Sequence, residues 1–303
     1  MKIDSLIKQN YNISKQIPLS RYTFTKTGGE AEYLVLPKNL EQLQMLVAAA
    51  NEDGLDITVI GNASNLIISD KGIAGLVIIL TDMNEIKLDG DIVEAQAGAT
   101  IIKTAFFAAN HGLSGLEFAA GIPGSVGGAV FMNAGAYGGE SEQAISEVTV
   151  LTRTGEIKHY SHDEMQFSYR HSLVQNTGDI VVSARFKLKA GDKLKILDEM
   201  NYLNALRAYK QPLEYPSCGS VFKRPTGHFV GPMLIKAGLQ GKQIGGAQVS
   251  TKHAGFIVNK GGATATDYLN LIHYIQKTIK EQRRIDLHTE VRIIGRDIEG
   301  ESK

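Results

Sequence analysis

The chain has 303 residues, 43% hydrophobic and 21% charged, which sets two or three globular domains and excludes a disordered chain. Lys plus Arg balances Asp plus Glu at 32 each, so no long-range field gathers polyanions, and nucleic-acid binding is a poor first reading. The single cysteine, Cys218, excludes an intrachain disulfide and a cysteine-rich metal cluster, which suits a reducing compartment. The basic pairs Lys223-Arg224 and Arg283-Arg284 form no stripe, and the first ten residues lack the apolar run of a signal peptide.

Asn39 can cap a helix in which Leu40, Leu43, Leu46, Val47 and Ala50 follow at helical spacing, and Gly54 ends it. Asp56–Ile60 then reads as a strand running into the loop Gly61-Asn62-Ala63-Ser64-Asn65, and Gly75–Leu80 as a strand buried on both faces. From 84 to 190 short strand-like runs recur at 92–97, 147–151 and 179–186, with one helix near 100–110. The stretch 190–210 predicts a linking helix. A helix over 266–283 carries an apolar stripe of Leu269, Ile272, Ile275 and Ile279, and the strand Glu290–Ile294 closes the last unit. Gly-Ala-Thr precedes a helix twice, at 98–100 and 262–264, which predicts shared cap chemistry. The fold class is α+β, with divisions at 1–80, 81–198 and 199–303.

Phe118–Gly139 holds no charged residue over 22 positions, long enough to raise a membrane span. Seven of those residues are glycine and one is proline, so the stretch reads instead as a loop that lets a ligand approach the backbone closely. It contains Gly121-Ile122-Pro123-Gly124-Ser125-Val126-Gly127-Gly128 and Asn133-Ala134-Gly135-Ala136. A tightly packed domain junction is the plainer alternative. The Rossmann fingerprint Gly-x-Gly-x-x-Gly with its later acidic residue is missing, and Gly241-Lys242 does not complete a Walker A loop.

Other segments read two ways. The Gly61–Leu66 loop is an anion nest or a plain turn. Arg170, beside Tyr169, is a structural ion-pair partner or a bidentate carboxylate clamp. Ser220, in Cys218-Gly219-Ser220-Val221-Phe222-Lys223, is by default a turn hydroxyl, and the chain has no Gly-x-Ser-x-Gly elbow of an α/β-hydrolase. Cys218 is a nucleophile or an inert core thiol. Glu290, before the last strand, is by default solvated. His159-x-x-His162 with Asp163 lacks further ligands, so no metal site is read.

Taken together, these segments resemble the UDP-N-acetylenolpyruvoylglucosamine reductase (MurB) family. The resemblance runs from Thr25-x-Thr27-Gly28-Gly29 to Glu290-Val291-Arg292, with the motifs in the family's order, including Tyr169-Arg170-x-Ser172, Gln211-Pro212 and Gly219-Ser220-x-Phe222-Lys223. It implies a two-subdomain FAD-binding fold of the vanillyl-alcohol-oxidase/p-cresol-methylhydroxylase type (1–80 and 81–198) and a C-terminal α+β substrate-binding domain (199–303). It implies non-covalent FAD, NADPH as co-substrate, and reduction of UDP-N-acetylglucosamine enolpyruvate by a cytoplasmic monomer that needs neither nucleic acid nor membrane.

Carried over residue by residue, Ser220 matches the proton donor. Arg170 and Glu290 match groups acting on the substrate carboxylate and its enolic form, with Glu290 either holding a proton or orienting a neighbour. Gly61, Asn62, Ala63, Ser64, Asn65 and Leu66 match one cofactor loop. Gly121, Pro123, Gly124, Ser125, Gly127 and Gly128, with Asn133, Gly135 and Ala136, match a second. Val181, Arg207 and Arg292 are further cofactor candidates, and Tyr169 and Lys223 substrate candidates.

Two departures stand out. The family usually has glycine where this chain has Asn62 and Ala63, and the interval 220–290 is too short for the tyrosine-bearing loop of the family's longer form. Two other classes remain open on the residues: a flavin enzyme of the same fold oxidising an alcohol or sugar, and a non-enzymatic nucleotide-sugar or flavin-binding module.

Overall fold

The computed structural model describes residues 2–8 and 11–297. They pack as two compact units, neither contiguous in sequence. The first takes the described residues up to Lys15, Tyr33–Asn62 and Gly75–Arg207; the second takes Gln16–Glu32, Ala63–Ala74 and the described residues from Ala208 on.

In the first unit, Leu40–Glu52 forms a helix because its apolar residues recur at helical spacing and Asn39 caps it, accepting a bond from the Gln42 N–H at 2.9 Å. The strand Ile57–Ile60 pairs in parallel with Ile73–Ile79, Ile57 opposite Leu76. A five-stranded antiparallel sheet runs in the order Ile157–Ser161, Ile145–Leu151, Ile180–Lys187, Ile92–Gln96, Ile86–Asp89. The helices Ile101–Asn110 and Val126–Met132 contribute Ile101, Ala105, Val126 and Val130 to a core shared with Leu43, Leu76, Val93 and Phe186.

The second unit has its own core. Helix Ala265–Arg283 lays Tyr268, Leu271, Ile272, Ile275 and Ile279 over an antiparallel sheet in the order Ser217–Ser220, Phe256–Asn259, Ala247–Val249, Gln243–Ile244. The buried stripe runs through Tyr268 rather than the expected Leu269, which is only half-buried; 268, 272, 275 and 279 hold a truer helical period. The repeated Gly-Ala-Thr does carry shared cap chemistry. Thr100 accepts from the Lys103 N–H at 3.2 Å, and Thr264 from the Asp267 N–H at 3.0 Å.

The contiguous divisions at 80 and 198 differ from this packing. Residues 66–68 form a strand that pairs in parallel with Arg292–Ile294, which draws 63–74 into the C-terminal unit. Residues on either side of position 80 meanwhile share one core. Among the described residues no helix is long and apolar enough to cross a membrane.

Candidate active site

Within the first unit, the two segments read as separate loops are joined. The Asn62 amide donates to the Pro123 carbonyl at 2.7 Å. A Cβ on Gly61 would lie 2.1 Å from Ser125 Oγ, so only glycine fits there. That hydroxyl is itself committed as a cap, accepting from the Gly128 N–H at 3.2 Å. Gly127 lies against Ala97, its Cβ position 3.0 Å from the Ala97 methyl. Gly121 faces the helix Lys193–Lys210, with a Cβ position 2.6 Å from Asn204 Oδ1 and 2.9 Å from Arg207 Cδ. Arg207 Nη1 is buried without a hydrogen-bond partner among the described residues, and burial pulls its pKa below the usual guanidinium value. A buried guanidinium nitrogen lacking an acceptor, beside a side-chain-free backbone, is what an anionic or carbonyl-bearing ligand would complete. These residues fit a flat, phosphate-bearing cofactor such as FAD.

Other expected cofactor residues are occupied within the fold. Asn133, buried at φ 40, donates from Nδ2 to Glu140 Oε2 at 3.2 Å and to the Ser168 carbonyl at 3.1 Å, and its Oδ1 accepts from the Glu142 N–H. Gly135 and Ala136 form a hairpin with Gly139 and Glu140, turned by Tyr137 and Gly138, both at positive φ. Val181 is a buried strand residue opposite Val150.

Arg170 sits at the tip of a tight turn closed by reciprocal bonds between Ser168 and His171. Its backbone is left-handed at φ 57, a strain of about 1 kcal/mol for a residue with a Cβ and a feature that concentrates at functional positions. The turn is pinned from below. Gln175 Nε2 donates to the Arg170 carbonyl at 3.1 Å, and Ser172 Oγ to the Phe131 carbonyl at 2.8 Å. The guanidinium donates through Nη2 to the Gly135 carbonyl at 3.2 Å, lies over the Tyr169 ring, and has Nη1 3.6 Å from Glu140 Oε1. Sequence reasoning missed Glu140 and Gln175. A lone Glu after a glycine pair and a Gln five residues past the arginine carry no periodic signal.

In the second unit, Ser220 is exposed at the end of Ser217–Ser220. Ser217 pairs with Val258 and Ser220 with Phe256, so the first strand carries one extra residue. Gly219, at φ 77, absorbs it, and the bulge turns Ser220 outward while Cys218 and Val221 face the core. Cys218 is therefore inert: burial pushes its thiol up to about 12. Thiol reagents should leave the folded chain unlabelled and react only as the unit opens; prompt labelling of native protein by a maleimide would contradict this burial.

Glu290 is held beside Ser220 through the main chain, its N–H donating to the Val221 carbonyl at 2.7 Å. Lys223 is tied to the same segment, its N–H donating to the His288 carbonyl at 2.9 Å. Asn65 Nδ2 donates to the Glu290 carbonyl at 3.1 Å, and the Asn65 carbonyl accepts from the Arg292 N–H at 3.0 Å. Ala63 takes a left-handed φ of 48, the conformation that suits the glycine usual in the family, and its carbonyl accepts from the Phe24 N–H at 3.2 Å. Ser64 and Leu66 flank Asn65 in half-buried positions. Among the described residues no group of three His, Cys, Asp or Glu side chains could hold a metal ion.

A family model described as the C-terminal domain of UDP-N-acetylenolpyruvoylglucosamine reductase matches residues 211–294, and one described as an FAD binding domain matches residues 31–161. The UDP-N-acetylenolpyruvoylglucosamine reductase of Lactobacillus delbrueckii subsp. bulgaricus is 74% identical over 297 residues, spanning 98% of this chain and 100% of the relative. That of Lactobacillus helveticus is 71% identical over the same spans. The crystal structure of MurB from Thermus caldophilus is 34% identical and superposes with a TM-score of 0.80, covering 92% of this chain and 98% of that one. The α+β FAD-binding fold with a C-terminal domain follows from these matches. The chain belongs to the UDP-N-acetylenolpyruvoylglucosamine reductase family, FAD-containing oxidoreductases.

Proposed function

We propose that the chain carries out the NADPH-dependent, FAD-mediated reduction of UDP-N-acetylglucosamine enolpyruvate to UDP-N-acetylmuramate, a step of peptidoglycan precursor synthesis. The observation that carries this reading is Ser220, turned outward by a bulge while its neighbours stay in the core, with Glu290 fastened to the adjoining Val221 carbonyl. FAD, when bound, supplies the hydride that reaches the terminal methylene carbon of the enolpyruvyl ether, having drawn it from NADPH.

The chain's own residues handle the rest. Hydride arrival at the methylene pushes the double-bond electron pair onto the carbon beside the carboxylate. Ser220 Oγ donates the proton that carbon takes up; serine is a weak acid, but a carbanion-like carbon is a strong base. Arg170 clamps the carboxylate and stabilises the charge that builds there. Glu290 holds or orients a proton on the enolic side. Tyr169 and Lys223 line the substrate.

The Gly61-Asn62 and Gly121–Gly128 segments with Arg207 hold the cofactor, supported by the acceptor-free Arg207 Nη1 beside the Gly121 backbone. Ser64, Leu66, Asn133, Gly135, Ala136, Val181 and Arg292 carry over to the same role from the resemblance alone. The parts 1–80, 81–198 and 199–303 are read as two cofactor subdomains and a substrate domain of the family's short form. The cytoplasmic setting carries over from the resemblance alone.

The test is nucleotide preference in steady-state turnover of the enolpyruvyl ether. NADPH should support a higher kcat/KM than NADH. Turnover of a sugar or alcohol with oxygen uptake would favour the competing flavin-oxidase reading instead.

A further inference from the structure

The cofactor loop ends in a residue whose side chain is engaged elsewhere. Asn65 Nδ2 donates to the Glu290 carbonyl at 3.1 Å, across 225 positions of sequence, and the Asn65 carbonyl accepts from the Arg292 N–H at 3.0 Å. Together these bonds grip the main chain on both sides of Val291. From the opposite side, the Val221 carbonyl accepts from the Glu290 N–H at 2.7 Å and from the Val291 N–H at 3.3 Å. Phe222 bridges to Thr289. The Glu290 peptide is thus held between the segment that carries Ser220 and the segment that carries Asn65, all within one unit.

Apart from the Asn65 amide, these contacts are backbone to backbone and do not depend on the Asn65 side chain. The Asn65 amide comes from a side chain, so a substitution at position 65 removes it and leaves the others. It also bonds the carbonyl of Glu290 itself, which fixes the rotation of that residue's peptide plane and hence the direction in which its side chain leaves the backbone. The parallel ladder of Leu66–Ile68 with Arg292–Ile294 begins one residue beyond Asn65 and keeps the strands together whether or not the amide is present.

We infer that the Asn65 side chain is a positioning residue for Glu290 rather than a ligand of the cofactor diphosphate. It acts by aiming the Glu290 carboxyl through the clamped main chain. The inference rests on the reading that Glu290 acts in substrate reduction. Displacing a catalytic group by about 1 Å can cost about 100-fold in rate, so a lost peptide clamp is expected to act at that scale.

The experiment compares Asn65→Ala, Asn65→Asp and Glu290→Gln in the full, FAD-loaded chain. Three quantities are read: FAD Kd by fluorescence, the rate of flavin bleaching by NADPH, and the rate at which UDP-N-acetylglucosamine enolpyruvate restores the flavin bands. A melting curve checks that each variant is folded.

Asn65→Ala should slow the restoration step about 10- to 100-fold. FAD Kd and bleaching should stay within about twofold, because a misplaced glutamate in the substrate domain touches neither. Asn65→Asp keeps the size of the side chain, so it reads the effect even if the alanine variant folds poorly. It should be slower still, since its carboxylate would face the Glu290 carbonyl oxygen with no proton between them.

A weakened FAD Kd that accounts for the loss would overturn the inference and make Asn65 a cofactor ligand. Unchanged restoration in the Asn65 variants, with Glu290→Gln slow, would overturn it while leaving the role of Glu290 intact. If Glu290→Gln itself restores the bands at the parent rate, the reading of Glu290 fails and the inference falls with it.

Discussion

Ser220→Ala should purify yellow, be bleached by NADPH at the parent rate, and turn over the enolpyruvyl substrate about 100- to 10,000-fold more slowly, the usual contribution of a positioned proton donor. The two halves of the reaction separate at this residue. Moving a hydride between NADPH and the cofactor needs no proton from serine, whereas completing the reduced product does. The bulge makes the substitution clean. Gly219 at φ 77 takes the extra residue and Ser220 is exposed, so replacing its hydroxyl disturbs neither the Cys218 side of the strand nor the core. Ser220→Cys, which keeps a donor at nearly the same place, should recover part of the loss. Stopped-flow spectra of both half-reactions read the outcome. A Ser220→Ala enzyme turning over at the parent rate would remove the proton donor from the account.

Arg170→Lys should lower kcat/KM for the enolpyruvyl substrate about 100- to 1,000-fold, the scale of losing one preorganised group that faces developing charge. Lysine keeps the positive charge but not the fork that meets a carboxylate with two parallel N–H bonds. It also cannot reproduce the present hold, in which Nη2 donates to the Gly135 carbonyl while Nη1 lies 3.6 Å from Glu140. The turn itself should survive. Gln175 bonds the main-chain carbonyl of residue 170, and the Ser168–His171 bonds close the loop without the side chain. The loss should therefore appear in steady-state kinetics with the melting temperature nearly unchanged. A variant within a few-fold of the parent would reassign Arg170 to a structural ion pair.

What the sequence made legible was local. The helix at Leu40–Glu52 announced itself through its cap and spacing, and the two Gly-Ala-Thr caps through repetition. Ser220 read by default as a turn hydroxyl, and the bulge that turns it outward shows only in the pairing of its strand with Phe256–Asn259. Long-range partners were not legible. Nothing in Leu66–Ile68 signals that its strand partner lies at Arg292–Ile294, more than 220 positions on, since a parallel pairing leaves no turn chemistry to read.

The glycine-rich segment was harder. Its composition predicted ligand contact throughout, but Gly135 and Ala136 belong to a hairpin and Asn133 spends both ends of its amide inside the fold. Glycine density marks tight backbone approach; at Gly121 the close neighbours are Asn204 and Arg207, and which part of the fold a glycine meets is settled by pairing at a distance.

The measurement that tests the central claim most directly is a visible absorption spectrum of the purified chain, taken before and after anaerobic NADPH and again after UDP-N-acetylglucosamine enolpyruvate. The account predicts flavin bands that bleach with the first addition and return with the second. A colourless protein that cannot be loaded with FAD, or bands that bleach and do not return with that substrate, would contradict it.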